Sequence, residues 1–402
     1  MLTTIRQTTK QYPPQFWWLF GGMAIYWGSI SMVWPFLLIY VADRLGMPLS
    51  QITYLVVINS ITQVIASSLA GPIIDRFGRK GVVSFSLIGL GLGFFMMSRA
   101  DSLIAYIVIL SLAGLFQPLY QVGVDTMLAD LIPQAGRAKA YSMTIIAGNL
   151  GFAVGASTGG VLVSKSYNLA FYAATAIAVM YGLFLALRIQ ETMPAVLVRG
   201  EKKRGIGYGP VLKDRKFMAF ALFVCLAMVC PGVLWSLLPM YLKQYFQIQE
   251  NLGGLLPAYN ALMITLLQVS VTQMTARFAA YPRLAAGAFL FAMGIFGIAF
   301  GQGFYGFLAS VSVYTLGEML MMPTAISYAS TLAPEDMRGR YLSLFRSLWR
   351  MLWGLGPVFA GYFNDFWGPK AIWYGTACFG LVSGLALLAM AYLTRYKIET
   401  AS

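Results

Sequence analysis

Histidine is absent from the 402 residues, and Asp, Glu, Lys and Arg together supply only 10% of them. The first absence removes the one side chain that titrates near neutral pH without help. The second excludes an ordinary soluble domain, where about 25% of residues are charged. Cysteine is nearly missing too. Cys225, Cys230 and Cys378 show no metal-ligand spacing, fall in apolar runs, and read as small buried hydrophobes. No phosphate-cradling glycine loop and no nucleophile–base constellation occurs, which excludes an enzyme and leaves neither cofactor nor metal to be expected. The start, "MLTTIRQTTKQYPPQ", lacks the short apolar core and cleavage site of a signal peptide, so the first apolar run is expected to act as the membrane signal itself.

What is abundant is apolar sequence. Hydrophobic residues make up 59% of the chain and mean hydropathy is +0.71. Helices of about 20 apolar residues cross the hydrocarbon core of a bilayer. Twelve such spans are predicted, at 16–41, 51–74, 81–99, 103–130, 140–164, 168–188, 217–242, 252–276, 283–303, 304–332, 341–364 and 370–394. The fold class is therefore all-α integral membrane.

The net charge of +14 could suggest a nucleic-acid partner, but its distribution argues otherwise. Loops on the side of the termini collect Arg6, Lys10, Arg76, Arg79, Lys80, Arg137, Lys139 and a basic central segment. The other side has only Arg44, Arg99, Lys165, Lys243 and Lys370. The positive-inside rule then places both termini in the cytoplasm of a plasma (inner) membrane. The basic excess is topology, and no nucleic acid is expected.

Displacing the sequence by about 201 residues superposes it on itself: Phe16 falls on Phe217, Asn59 on Asn260, Pro133 on Pro334, Arg137 on Arg338 and Gly155 on Gly356. Such a repeat implies two six-helix bundles in the same orientation, related by a pseudo-twofold axis along the membrane normal. The expected bundles are 1–188 and 217–402. Between them, 189–216 ("RIQETMPAVLVRGEKKRGIGYGPVLKDRK" with its flanks) is expected to be a cytoplasmic linker.

Between spans two and three lies "GPIIDRFGRK". Gly71, Asp75, Arg76, Gly78, Arg79 and Lys80 fill every position of the loop pattern G-x-x-x-D-(R/K)-x-G-(R/K)-(R/K), and here the chain resembles the major facilitator superfamily. In physical terms Gly71 permits close helix approach, Gly78 a tight turn, and Asp75 can meet a helix N-terminus or an Arg. The resemblance implies a latch that stabilises one conformation, with Asp130 at the end of span four pairing with the loop arginines. The matching loop of the second half, "TQMTARFAAYPR", keeps Arg277 without the Asp or the glycines. Span five carries "GFAVGASTGG", which resembles the antiporter motif G-x-x-x-G-P-x-x-G-G of the twelve-span drug/proton antiporters. Gly151, Gly155, Gly159 and Gly160 match, and Ala156 replaces the Pro. Small residues four apart also serve ordinary helix packing in membranes.

Four charged groups stand deep within predicted spans, away from their ends: Asp125, Glu318, Arg346 and Arg350. Glu318 is the sole charge between Arg283 and Glu335. A charge at the centre of an isolated span costs about 2.5–3.5 kcal/mol, so such groups face a cavity or pair with one another. Gln117, Gln121 and Asp125 form a stripe at i, i+4 and i+8 on span four. Under the 201-residue displacement Glu318 falls on Gln117 and Arg350 on Asn149, so only the second half makes these positions ionisable. With no histidine, an intramembrane proton carrier at neutral pH must be a carboxylate held near neutrality by burial. Glu318 and Asp125 are the candidates, with Arg350 and Arg346 as counter-charges. A static Glu318–Arg350 pair that fastens span ten to span eleven is the competing reading.

The resemblance implies that spans one, four, seven and ten line a central cavity, to which Gln117, Tyr120, Gln121, Trp34, Trp235, Tyr314 and Met321 are assigned. With aromatics at 15% and 22 Met, that cavity suits lipophilic, including cationic, compounds. The expected function is proton-coupled efflux of such compounds by a monomer in the bilayer. The alternatives are transport of a sugar or other metabolite, movement of lipids or glycolipids, and a non-transporting receptor or scaffold.

Overall fold

The computed structural model describes residues 12–193, 208–334 and 337–399, apart from the side chains of 134–136, 138–139, 338 and 394–399. Arg6, Lys10, Lys139, the basic run 199–204 and most of the linker lie outside this description. Every regular element among the described residues is helical.

Eleven helices are long and apolar enough to cross a membrane: Pro14–Leu45, Leu49–Phe77, Arg79–Arg99, Leu103–Leu131, Ala140–Lys165, Tyr167–Arg188, Arg215–Phe246, Glu250–Thr275, Ala280–Ile298, Gly303–Leu332 and Pro369–Leu393. They are spans one to ten and span twelve. Span eleven is Arg338–Trp367, equally long but carrying Arg340, Arg346, Arg350 and Asp365, which makes it too polar to qualify on hydropathy.

The helices begin and bend for identifiable reasons. Ser102 accepts from the Ala105 N–H at the start of span four. Asp214 accepts from the Phe217 N–H, 3.0 Å, at the start of span seven; both are N-cap bonds that satisfy otherwise orphaned donors. Span seven is interrupted at Ala227 and Met228, whose N–H groups reach back three residues to Val224 and Cys225. Prolines stand inside spans one, two, four, seven, ten and eleven. Lipid offers no competing water, and neighbouring helices absorb such interruptions.

The chain forms two compact units, Met1–Leu37 with Ile61–Lys203, and Leu38–Ser60 with Arg204–Ser402. In the first, span three packs on spans four and six, and span five approaches span one through glycine. In the second, span nine packs on spans ten and twelve, and span seven on span eleven. The end of span one, from Leu38, and the first part of span two, to Ser60, belong to this second unit. They are tied into it by Lys243, which bridges Asp43 at 3.0 Å and Glu250 at 3.1 Å. The Ser50 N–H donates to Asp365, and the Tyr54 and Tyr362 hydroxyls meet at 2.7 Å. Cys225 and Cys230 are buried as expected, whereas Cys378 is exposed. Exposure on a span such as this one is what lipid contact looks like, so burial was the wrong expectation for Cys378.

Candidate functional site

Two polar constellations stand out, one in each unit. In the first unit the 71–80 segment turns from span two into span three at Gly78, whose φ of +81° favours glycine. A Cβ there would also strike the Glu191 carboxylate at 2.6 Å. Glu191, just past span six, accepts the N–H groups of Arg79 and Lys80, each at 3.1 Å, one on each oxygen. A carboxylate thus sits on the positive end of span three. The Arg79 guanidinium is buried and pairs with Asp130, the last acidic residue of span four. It also donates to the Thr192 carbonyl, while the Thr192 hydroxyl donates to Asp130 at 3.0 Å. Arg137 closes the end of span four by donating to the carbonyls of Ile132 and Ala129.

Other residues of the motif are placed differently from the sequence argument. Asp75 and Arg76 are exposed, and neither is the buried partner in this network. Lys80 is half-buried, its backbone held by Glu191. A Cβ on Gly71 would meet nothing within 4 Å, so close helix approach does not explain that glycine. Glu191 and Thr192 were not among the residues expected at this turn. Their signal was an acidic residue directly after span six in an otherwise basic segment.

The span-five glycines do make a close approach. A side chain on Gly151 would collide with the Ala24 carbonyl, on Gly155 with the Gly28 carbonyl and the Ser31 hydroxyl, and on Gly159 with the Met32 backbone. Gly160 is buried beside them. Spans one and five therefore touch backbone to backbone, the small-residue packing that association in lipid favours.

The polar residues of span four are half-buried: Gln117, Gln121 and Asp125. The Asp125 carbonyl accepts from the Tyr141 hydroxyl at 2.9 Å. Tyr120 does not line an opening in this structure. It is fully buried, stacked on Tyr26 at 4.5 Å between ring centroids. Trp34 is half-buried on span one.

The second unit holds Glu318, half-buried on span ten. Its carboxylate accepts from the Asn260 amide of span eight at 2.9 Å. The same amide nitrogen donates to the Thr315 hydroxyl oxygen, also 2.9 Å. Spans eight and ten share two further polar contacts, Tyr259 with Ser312 at 2.9 Å and Gln268 donating to the Met319 carbonyl at 3.0 Å. The static Glu318–Arg350 pair, the competing reading, is not formed in this structure. Arg350 is half-buried on span eleven and Arg346 is exposed, and Glu318 is held by the Asn260 amide. Tyr314 and Met321 are fully buried against span nine rather than open to a cavity. Tyr314 stacks on Phe291 at 4.7 Å and meets the half-buried Trp235 edge-on at 5.8 Å. Met321 stands 3.0 Å from where a Cβ on Gly287 would lie.

Twelve long helices, eleven of them apolar enough to cross a membrane, a charged turn between spans two and three, and a carboxylate midway along span ten fit a polytopic carrier. The family follows from comparison. The profile of the Major Facilitator Superfamily matches residues 19–355 and 232–401, and the chain belongs to that superfamily of transporters. A Na(+), Li(+), K(+)/H(+) antiporter of Planococcus maritimus is 29% identical, over 91% of this chain and 93% of its own. The multidrug resistance protein MdtH of Yersinia pestis is 23% identical, with 95% of each chain covered. Among solved structures the nucleoside transporter NupG superposes with a TM-score of 0.82 over 93% of this chain and 99% of its own, at 12% identity, a likeness of fold alone.

Proposed function

We propose that this protein is a proton-coupled antiporter that exports small lipophilic compounds, cationic ones among them, and that Glu318 carries the proton. The observation that carries this reading is the setting of Glu318. It is the one acidic residue in the middle of span ten, and its hydrogen-bond partner is a neutral amide rather than an arginine. An ionised carboxylate in such surroundings is costly. A group that is neutral when enclosed and charged when wetted or joined by a cation can exchange proton for cargo. Asp125, nearer the end of span four, assists proton movement in this scheme. Arg350 and Arg346 act on cargo or carboxylate in another conformation. The moving bodies are the bundles 1–188 and 217–402, joined by the 189–216 linker, with the 71–80 turn, Asp130 and Glu191 holding one state. Both termini face the cytoplasm, on the strength of the Lys/Arg asymmetry.

A second reading is exchange of monovalent metal cations for protons. It is favoured by the 29% identical relative, named as an antiporter of Na(+), Li(+), K(+) and H(+). One experiment separates the two. Purified protein in liposomes with an imposed pH gradient is offered a lipophilic dye cation or Na(+), Li(+) and K(+). Gradient-driven movement of the dye supports the first reading and of the metal ions the second. In either case Glu318→Gln should abolish gradient-driven flux while leaving some downhill exchange. Full gradient-driven flux in that variant would remove Glu318 from the mechanism.

A further inference from the structure

The hydrogen bonds around Glu318 decide which of its two oxygens exchanges the proton. Thr315 is fully buried, and its hydroxyl donates to the Val311 carbonyl one turn back, at 2.7 Å. A hydroxyl has a single proton, so Thr315 can only accept from Asn260. That fixes the Asn260 amide, itself 6% exposed. Turned over, its carbonyl would face the Thr315 oxygen with no proton between them. The nitrogen must therefore point this way, and its second N–H reaches Glu318 Oε2. An amide nitrogen cannot accept, so no proton lies between Oε2 and Asn260. In a neutral carboxyl the carbonyl oxygen accepts hydrogen bonds better than the hydroxyl oxygen. Oε2 is then the carbonyl, and the proton belongs on Oε1.

We infer that Val311, Thr315 and Asn260 form a fixed relay that makes Oε1 the proton-exchanging atom of Glu318, with Asn260 a positioning residue. This deepens the reading of Glu318 as proton carrier and rests on it only for the consequence in transport. Other titratable groups on the packed elements are few. Span eight has no charged residue over Leu255–Thr275, and its Tyr259 hydroxyl is engaged with Ser312. Span nine brings Tyr281 and Arg283 in its first turn. Span eleven brings Arg340, Tyr341, Arg346 and Arg350, with Tyr362 and Asp365 toward its far end, and span seven Cys225, Cys230 and Tyr241. On span ten itself Tyr314 lies one turn from Glu318, with Tyr328 beyond.

The test is infrared titration of the purified full-length protein in lipid nanodiscs. The carboxyl carbonyl band of Glu318 is identified by its loss in Glu318→Gln. Asn260→Leu should move the titration midpoint toward alkaline pH, roughly tenfold in proton concentration, because the charged form loses a donor. It should also raise the frequency of the carbonyl band, because Oε2 loses its hydrogen bond. Thr315→Val, which keeps the shape, should move both in the same direction by less, and Thr315→Ser, which keeps the hydroxyl, should restore the wild-type behaviour. A carbonyl frequency unchanged in Asn260→Leu would place the proton on Oε2 and overturn the assignment. A midpoint unmoved in both Asn260→Leu and Thr315→Val would overturn the relay. The band reports titration whether or not transport depends on it. Proton-driven flux surviving Glu318→Gln would therefore sink the transport reading separately.

Discussion

The two compact units spend their charge in different places. The first ties most of it at helix ends, Arg79 with Asp130, Glu191 on the start of span three and Arg137 on the end of span four, with Asp125 within span four as its one acidic residue further in. Its position equivalent to Glu318 is the neutral Gln117. The second unit places a carboxylate in mid-span and holds it with Asn260 and Thr315, and ties its far end with Asp43, Lys243 and Glu250. The difference teaches that a duplicated scaffold can divide its work. One copy fastens helix ends where water is near, and the other bears the energetic cost of an ionisable group where water is scarce.

The sharpest way to break this comparison is to move the carboxylate across it. Gln117→Glu combined with Glu318→Gln should leave gradient-driven flux in liposomes at the background of Glu318→Gln alone, because Gly114 stands where the repeat would place Thr315 and supplies no hydroxyl to orient an amide. Recovery of flux would mean that any mid-membrane carboxylate suffices. A smaller effect is expected at the first unit's charged turn. Gly78→Ala should destabilise the protein by about 1–2 kcal/mol, through its positive φ and the collision with Glu191. Glu191→Gln should cost about 1 kcal/mol, through the lost charge on span three. Thermal unfolding in detergent measures both. If Glu191→Gln lowered proton coupling and left stability alone, the division of work would fail. The smallest effect belongs to Lys243→Ala, whose partners are partly exposed, side-chain exposure being 52% for Asp43 and 14% for Glu250. About 0.5–1 kcal/mol or less is expected, diminishing in high salt.

Much of the fold was legible because the bilayer imposes a simple code of length and apolarity. Even span eleven, too polar for a hydropathy threshold over its full length, shows in the sequence as an apolar stretch at 341–364. The site was legible only up to the identity of its carboxylate. Hydropathy marks how deep a residue lies, and Arg350 lies at about the depth of Glu318, which suggested a pair. Pairing depends instead on direction around the helix, about 100° per residue. Relative to Glu318, Thr315 lies about 60° to one side, and Tyr314 and Met321 about 40° and 60° to the other. The first side meets span eight and the second span nine, which is why Asn260 holds the carboxylate while Tyr314 and Met321 are buried. Nothing in a single sequence says which helix stands on which side. The Glu191 contact was hidden for a related reason, since 112 residues separate it from Arg79.

The glycine seam between spans one and five has a consequence for how this gene tolerates change. At positions 151, 155 and 159 the space for a side chain is already filled by main-chain atoms of the neighbouring helix. One amino acid of the twenty fits there. On the same helix Ile145, Leu150, Val154 and Val161 are at least half exposed, and most apolar replacements should pass unnoticed. Random mutagenesis of span five should thus yield a barcode of silent and inactivating codons, with the inactivating ones four residues apart.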